Sequence, residues 1–388
     1  MTWPTDRWPT SSEIADRLRE LANNPRYSAI CTVTDFAEST TGGNRGNYVR
    51  IGTAGGTRPS DVILGGVHAR EWAPPTALTN LILALCEAHI ADTPVTMGST
   101  SRSAEDVHAI INGIALYIAP MVNCDGYDYS LTNDAGGPLA GRDQRGWRKN
   151  RSPAPSSLPS GCTAANAIGT DINRNFDVLW EFTSFYVSGS NVSASTSPCD
   201  EIYIGSKAFS EPESRNVKAL IDAVDPQFFA DVHMSGGTVM YSWGVEENGP
   251  IPGATPPLDQ GQVRDGTITS GLGFNNYKEP INQDFLTQIT ALANLMADAT
   301  GAATPGRRYT PQPSANLYPA PGASDDYAFS RNLGTAKPPI KAFTIESGAT
   351  FLPLFDTEFP SVQNEIQAAV LALARYAVSP PSNNSCRC

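Results

Sequence analysis

Histidine is scarce in this chain of 388 residues, and the four present are His68, His89, His108 and His233. Two of them stand where a strand should end. His68 follows the apolar run Asp61-Val-Ile-Leu-Gly-Gly66 with one residue between, and His233 closes Phe228-Phe-Ala-Asp-Val-His233. In an open α/β sheet, ligands gather beyond the carboxyl ends of the strands. Two histidines 165 residues apart can therefore meet there. Glu71 lies three positions after His68. Two imidazoles and one carboxylate form a catalytic zinc donor set that leaves the fourth position open to water. The ordinary alternative is a hydrogen-bonded structural histidine at each strand end, and H-x-x-E pairs also arise by chance. These residues permit a metal without requiring one.

The surrounding pattern alternates strand-like and helix-like segments. Ser11 to Asn23 reads as an amphipathic helix, with Ile14, Leu18 and Leu21 on one face and Ser11 or Ser12 as its cap. Asp61 to Gly66 reads as a buried strand, and Pro74-Pro75 opens a helical pattern running to about His89. Gly113 to Pro120, Gln227 to His233 and Lys341 to Glu346 are further strand candidates. Ser210 to Val224 reads as a helix with Ser210 and Glu213 at capping-box spacing. Ile281 to Ala299 and Ser361 to Val378 are also helical. Strands separated by helices predict an α/β fold with a mixed, mostly parallel central sheet and helices on both faces. Residues 1–378 are expected to form a single domain, and 379–388 a mobile tail. Two long turn-rich stretches, 132–170 and 249–273, are the size of functional loops.

Composition narrows the class. A net charge of −12 argues against nucleic-acid binding, which needs a basic footprint. The longest apolar stretches, such as Ala368 to Ala374, are far too short to span a bilayer. Residues 1–7 lack the basic and apolar regions of a signal peptide. None of the seven cysteines forms a C-x-x-C pair, which disfavours a thiolate zinc ribbon. Cys31 and Cys86 lie in apolar surroundings and read as buried small hydrophobes. Cys162 and Cys199 lie in polar segments, where a disulfide could staple a long loop and would place the protein in an oxidising compartment.

The segment His68-Ala-Arg-Glu-Trp72 resembles the zinc-binding segment of the M14 metallocarboxypeptidases, the family of pancreatic carboxypeptidases A and B. Two histidines and a glutamate are the known ligand set of carboxypeptidase A, so assigning His68, Glu71 and His233 to one zinc ion per chain is recognition. Further segments match in the family's order from about Ser11 to Val378. Arg70, inside the first motif, matches a residue that contacts substrate. Gly146-Trp-Arg-Lys-Asn-Arg151 resembles the segment whose arginine polarises the scissile carbonyl, a role that falls on Arg148. Asp171-Ile-Asn-Arg-Asn-Phe176 resembles the site for the substrate's terminal carboxylate, which implies Asn173 and Arg174. Asn316 to Tyr327 resembles the loop carrying a mobile substrate-binding tyrosine, here Tyr318, with Tyr327 where the family usually has tryptophan. Lys341-Ala-Phe-Thr-Ile-Glu346 resembles the strand ending in the catalytic glutamate. His89 and His108 have no counterpart and read as structural or surface residues, His89 at a helix end and His108 in a polar segment.

By the same resemblance Asp325 lies at the base of the side-chain pocket, with Met240, Gly244, Leu317, Ala320, Ala323 and Thr344 around it. Aspartate there implies a preference for C-terminal lysine and arginine, as in the B-type enzymes. A dual preference that includes apolar residues is also compatible, as is a bland role for Asp325 in capping a turn. The resemblance pairs Cys162 with Cys199. The expected partners are peptide or protein C-termini, with no nucleic acid, no membrane and a monomeric chain. Localisation is secreted if the disulfide forms and an N-terminal pre- or pro-segment has been removed, and otherwise cytoplasmic. Two rival functions share the fold. One is zinc-dependent amide hydrolysis of a small acylated amino acid or of peptidoglycan. The other is a non-catalytic binding domain, which should have lost a ligand or the base.

Overall fold

The computed structural model describes residues 3–53, 58–132, 144–266 and 277–378. In chain order the elements are α1 (Ser11–Asn23), β1 (Cys31–Asp35), β2 (Asn47–Ile51), β3 (Ser60–Gly65), α2 (Ala73–Ala91), β4 (Val95–Met97), β5 (Thr100–Arg102), α3 (Ala104–Gly113), β6 (Ala115–Ala119) and α4 (Cys124–Leu131). The second half adds α5 (Pro212–Val224), β7 (Phe228–Met234), β8 (Thr238–Tyr241), β9 (Asn248–Ile251), β10 (Glu279–Asn282), α6 (Gln283–Ala303), β11 (Thr310–Pro313), α7 (Ser324–Ser330), β12 (Lys341–Ser347) and α8 (Phe359–Val378).

Eight strands form one sheet in the order β1-β2-β6-β3-β7-β12-β8-β11. Its four middle strands, β6, β3, β7 and β12, run parallel, and antiparallel pairs occur at β1–β2, β2–β6 and β12–β8. The middle strands are nearly continuous in apolar residues, as expected where helices cover both faces of a parallel sheet. All seven residues of β7 are buried. The α/β fold with a mixed sheet is the one read from the sequence.

Parallel β3, β7 and β12 bring their carboxyl ends to one edge, and register fixes what meets there. Glu346 pairs with His233 across β12 and β7, so the two side chains leave the sheet side by side. β3 ends at Gly65, and Gly66 adopts a left-handed conformation (φ +65°) beside the Pro120 carbonyl. This turn throws His68 and Glu71 over the edge.

Several local expectations are corrected. Thr10, not Ser11 or Ser12, caps α1, in a reciprocal capping box with Glu13. The capping box expected at Ser210 and Glu213 does not form. Glu211 occupies the cap position without a side-chain cap bond, Pro212 fills the first turn, and the Ser210 hydroxyl donates to the Glu211 carboxylate instead. The polar segment that holds His108 is helix α3. The expected mobile tail at 379–388 falls outside the described residues, as do 133–143 and 267–273 of the two long loops.

Candidate active site

His68, Glu71 and His233 converge at the carboxyl edge of the sheet and are buried. The Glu71 carboxylate lies 2.8 Å from His68 Nδ1 through Oε1 and 3.0 Å from His233 Nδ1 through Oε2. The two Nδ1 atoms are 3.1 Å apart. The main-chain NH of Met234 donates to Glu71 Oε2 at 3.1 Å. Each imidazole has a carboxylate behind it. His68 Nε2 lies 3.2 Å from Asp171 Oδ1, and His233 Nε2 lies 3.0 Å from Asp231 Oδ2, the second contact being close but poorly angled for a hydrogen bond.

The electrostatics follow from this crowding. Burial opposes charge on Glu71, but the adjacent imidazoles hold its carboxyl below the usual carboxylate range. Burial likewise opposes charge on Asp171, yet Arg148, His68 and Arg174 hold it well below that range. Burial lowers the pKa of His233, while the carboxylates of Asp231 and Glu71 raise it well above the ordinary value. A buried centre with this much negative charge attracts a cation. The three donor atoms lie within 4.8 Å of one another, and the two-nitrogen, one-oxygen set with outer carboxylates suits zinc.

Arg148 donates through Nε to Asp171 Oδ2 at 2.9 Å. Asp171 thus joins the guanidinium to the His68 ring. Glu346 stands across from His233 and reaches into the cavity. Solvent touches part of the residue, while its Oε2 is sealed and has no hydrogen-bond partner. Burial first, and then the charge of Glu71, push its carboxyl up to about 8. A divalent ion beside it would draw that value back down.

One cavity contains His68, Arg148, Asn173, Arg174, Tyr318, Asp325 and Glu346, together with Met240, Gly244, Leu317, Ala320, Ala323 and Thr344. Arg174 is held by the Ser193 carbonyl at 2.5 Å and by its neighbour's carbonyl, Asn173 O, at 2.6 Å. Its guanidinium carbon lies 5.6 Å from the Tyr318 ring centre. Asn173 accepts from the Ser324 NH at 2.8 Å, tying it to the start of α7. In the lining of the same cavity, buried Asp325 accepts from Ser314 Oγ and from the Asp326 NH, each at 2.9 Å. Burial raises the pKa of Asp325. Arg70 stands outside this group. It pairs with Glu201 at 3.1 Å and stacks 4.4 Å above the Phe351 ring.

Three residues of the site were not singled out from sequence. Asp231 sits two positions before His233 on β7, so strand alternation places both on one face. Asp171 opens the motif that supplies Asn173 and Arg174. Ser314, from the segment after β11, carried no signal. Tyr327, at the family's tryptophan position, packs against Phe176 and Phe209. Cys162 and Cys199 are disulfide-bonded, with 5.7 Å between their Cα atoms, and Cys31, Cys86 and Cys124 are buried free thiols.

A parallel-sheet edge with a His–Glu–His centre, a buried arginine and a facing glutamate is the arrangement of a metallohydrolase. The family model for zinc carboxypeptidases (peptidase family M14) matches residues 16–367, and the chain belongs to that family. It is 30% identical over 337 residues to carboxypeptidase B of Astacus astacus, covering 86% of this chain and 84% of that one. It is 28% identical over 294 residues to carboxypeptidase B of Bos taurus, covering 75% of this chain but only 53% of the bovine protein. The fold matches the crystal structure of thrombin activatable fibrinolysis inhibitor, with a TM-score of 0.68, 20% identity and coverage of 96% of this chain and 75% of that one. It also matches carboxypeptidase A of Helicoverpa armigera, with a TM-score of 0.65, 22% identity and coverage of 97% and 75%.

Proposed function

We propose that this chain hydrolyses the last peptide bond of peptides and proteins, with a preference for C-terminal lysine and arginine. The observation that carries the reading is that His68, Arg148 and Glu346 line the same cavity as Asp325. A substrate whose final side chain reaches Asp325 presents its last peptide bond to Glu346 and Arg148.

His68, Glu71 and His233 would hold zinc, which when bound supplies a Lewis acid and acidifies water. The chain's own residues do the rest. Arg174 and Asn173 bind the terminal α-carboxylate, for which a planar guanidinium fork is suited. This requirement for a free carboxylate selects chain ends. Tyr318, on a partly exposed loop beside Arg174, covers the bound residue. Arg148, fixed by Asp171, stabilises the oxyanion that develops on the scissile carbonyl. Glu346 takes a proton from the attacking water and returns it to the leaving amine. Asp231 and Asp171 orient the two ligand histidines. Arg70, with Phe351, lies outside the cavity, where it can meet residues further up the peptide.

Asp325 supports the basic preference because a buried carboxylate without a cation is costly, and a substrate ammonium or guanidinium provides the partner. The names of the B-type relatives point the same way. The apolar walls Met240, Leu317 and Ala320 leave room for some turnover of apolar ends. Arg174 and Tyr318 favour peptide C-termini over acylated amino acids or peptidoglycan. The complete set of ligands, base and arginine disfavours a non-catalytic binding domain. The Cys162–Cys199 disulfide supports secretion. Among the described residues no helix is long and apolar enough to cross a membrane, and a monomer is sufficient for the site.

The test is mass spectrometry on peptides that differ only in the last residue, with and without chelator. Sequential loss of single C-terminal residues, abolished by chelation and by Glu346→Gln, is expected. Internal cleavage or insensitivity to chelation would refute the reading.

A further inference from the structure

The two histidines with no part in the His68–Glu71–His233 centre face each other. His89 stands in the last turn of α2 and His108 in the middle of α3, and their Nδ1 atoms lie 2.9 Å apart. The ring centroids are 4.5 Å apart. Both side chains are partly open to solvent. Asp92, just beyond α2, lies 3.0 Å from His108 Nε2 through Oδ1. An ionised carboxylate only accepts hydrogen bonds. In the neutral ring this contact places the His108 proton on Nε2 and leaves the Nδ1 lone pair on the side of His89.

We propose that His89 and His108 chelate a second divalent transition-metal ion, with Asp92 as the outer partner that orients His108. With metal–nitrogen bonds of about 2.0–2.1 Å, a 2.9 Å nitrogen separation subtends about 90° at the ion. That is the angle between neighbouring positions in a square-planar or octahedral complex, not a tetrahedral one. Imidazole nitrogens in such geometry suit Ni2+ and Cu2+. A carboxylate behind a metal-bound imidazole is the usual outer arrangement. The site also lies at the carboxyl end of α2, where the helix dipole favours positive charge. Water would fill the remaining coordination positions, since among the described residues no third His, Cys, Asp or Glu forms a three-ligand cluster with this pair. The ion would clip α2 to α3. It is separate from the catalytic centre: α2 starts two residues after Glu71, and His89 lies about 24 Å along it at ~1.5 Å per residue.

The probe is Ni2+ added to zinc-loaded, untagged enzyme at neutral pH, with bound metal counted by equilibrium dialysis and elemental analysis. The catalytic centres of wild type and His89→Ala/His108→Ala are identical, so any exchange there cancels in the comparison. Wild type should take up one more Ni2+ per chain than the double variant, and its Tm alone should rise with Ni2+. Asp92→Asn should weaken the extra binding about 10- to 100-fold. Asparagine tolerates the left-handed backbone at this position (φ 55°), so this variant keeps the helix end intact if the double variant folds poorly. Equal uptake by the wild type and the folded double variant, or unchanged affinity in Asp92→Asn, would overturn the proposal.

Discussion

Replacing Asp325 with asparagine isolates one charge. Asparagine keeps the shape, still accepts from the Asp326 NH, and can donate to Ser314 Oγ, so the pocket wall should survive. The neighbouring Asp326 is turned to the Gly244 NH at 2.9–3.0 Å and is not part of the cavity lining. Asp325 is 2% exposed and pairs with no cation among the described residues. In the complex with a basic substrate the two charges would meet out of water. Losing one partner of such a pair costs about 2–5 kcal/mol, which is roughly 30- to 5,000-fold in kcat/KM. Turnover of peptides ending in leucine or phenylalanine should hold or improve, since no buried charge then faces an apolar group. The free enzyme should not lose thermal stability, because burial disfavours the Asp325 charge. The assay is kcat/KM for one peptide series ending in arginine, lysine, leucine and phenylalanine, in wild type and Asp325→Asn. A fall for arginine of less than about tenfold, or a wild type that prefers phenylalanine, would refute the assigned role.

Glu346→Gln should lower kcat by about 10²–10⁴-fold with KM and circular dichroism little changed; an equal rise in KM would mean the residue binds substrate instead. Glu213 is buried, and its pKa is raised by burial to about 8. Between about pH 4.5 and 8 the unfolded chain releases this proton while the folded protein keeps it, so stability falls as pH rises through that window, by at most about 5 kcal/mol. Glu213→Gln should flatten this part of the urea-unfolding profile, and an unchanged slope would show that Glu213 does not cause it. The Cys162–Cys199 bond closes a 37-residue separation, for which the chain-entropy model gives ~4 kcal/mol. Cys162→Ser/Cys199→Ser should lose up to that amount by urea titration, and no loss would show that the loop is held by other contacts.

Much of the site was legible because its chemistry sits at strand ends and in short motifs. His68 and Glu71 follow an apolar run ending in two glycines, and Glu346 closes another. The periodicity of Ser11 to Asn23 gave that helix its correct limits. Caps were less legible: Thr10 and Ser12 are equally good cap residues, and which one serves depends on where the chain enters the helix. Likewise, a proline after Glu211 changed the start of α5 and turned Ser210 away from Glu213.

The residue types and their order suggested the donor set, and the family resemblance added the expected carboxylate anchor and acidic pocket base. Only the tertiary structure decided the pairings that span long stretches of chain. Parallel register between β7 and β12 set Glu346 against His233. The return of the chain at Asp171 tied Arg148 to His68. The packing of α2 on α3 set His89 against His108, nineteen residues on. Sequence periodicity reports which face of an element is apolar. It does not report which two faces will touch, because that is settled by the packing of the whole core.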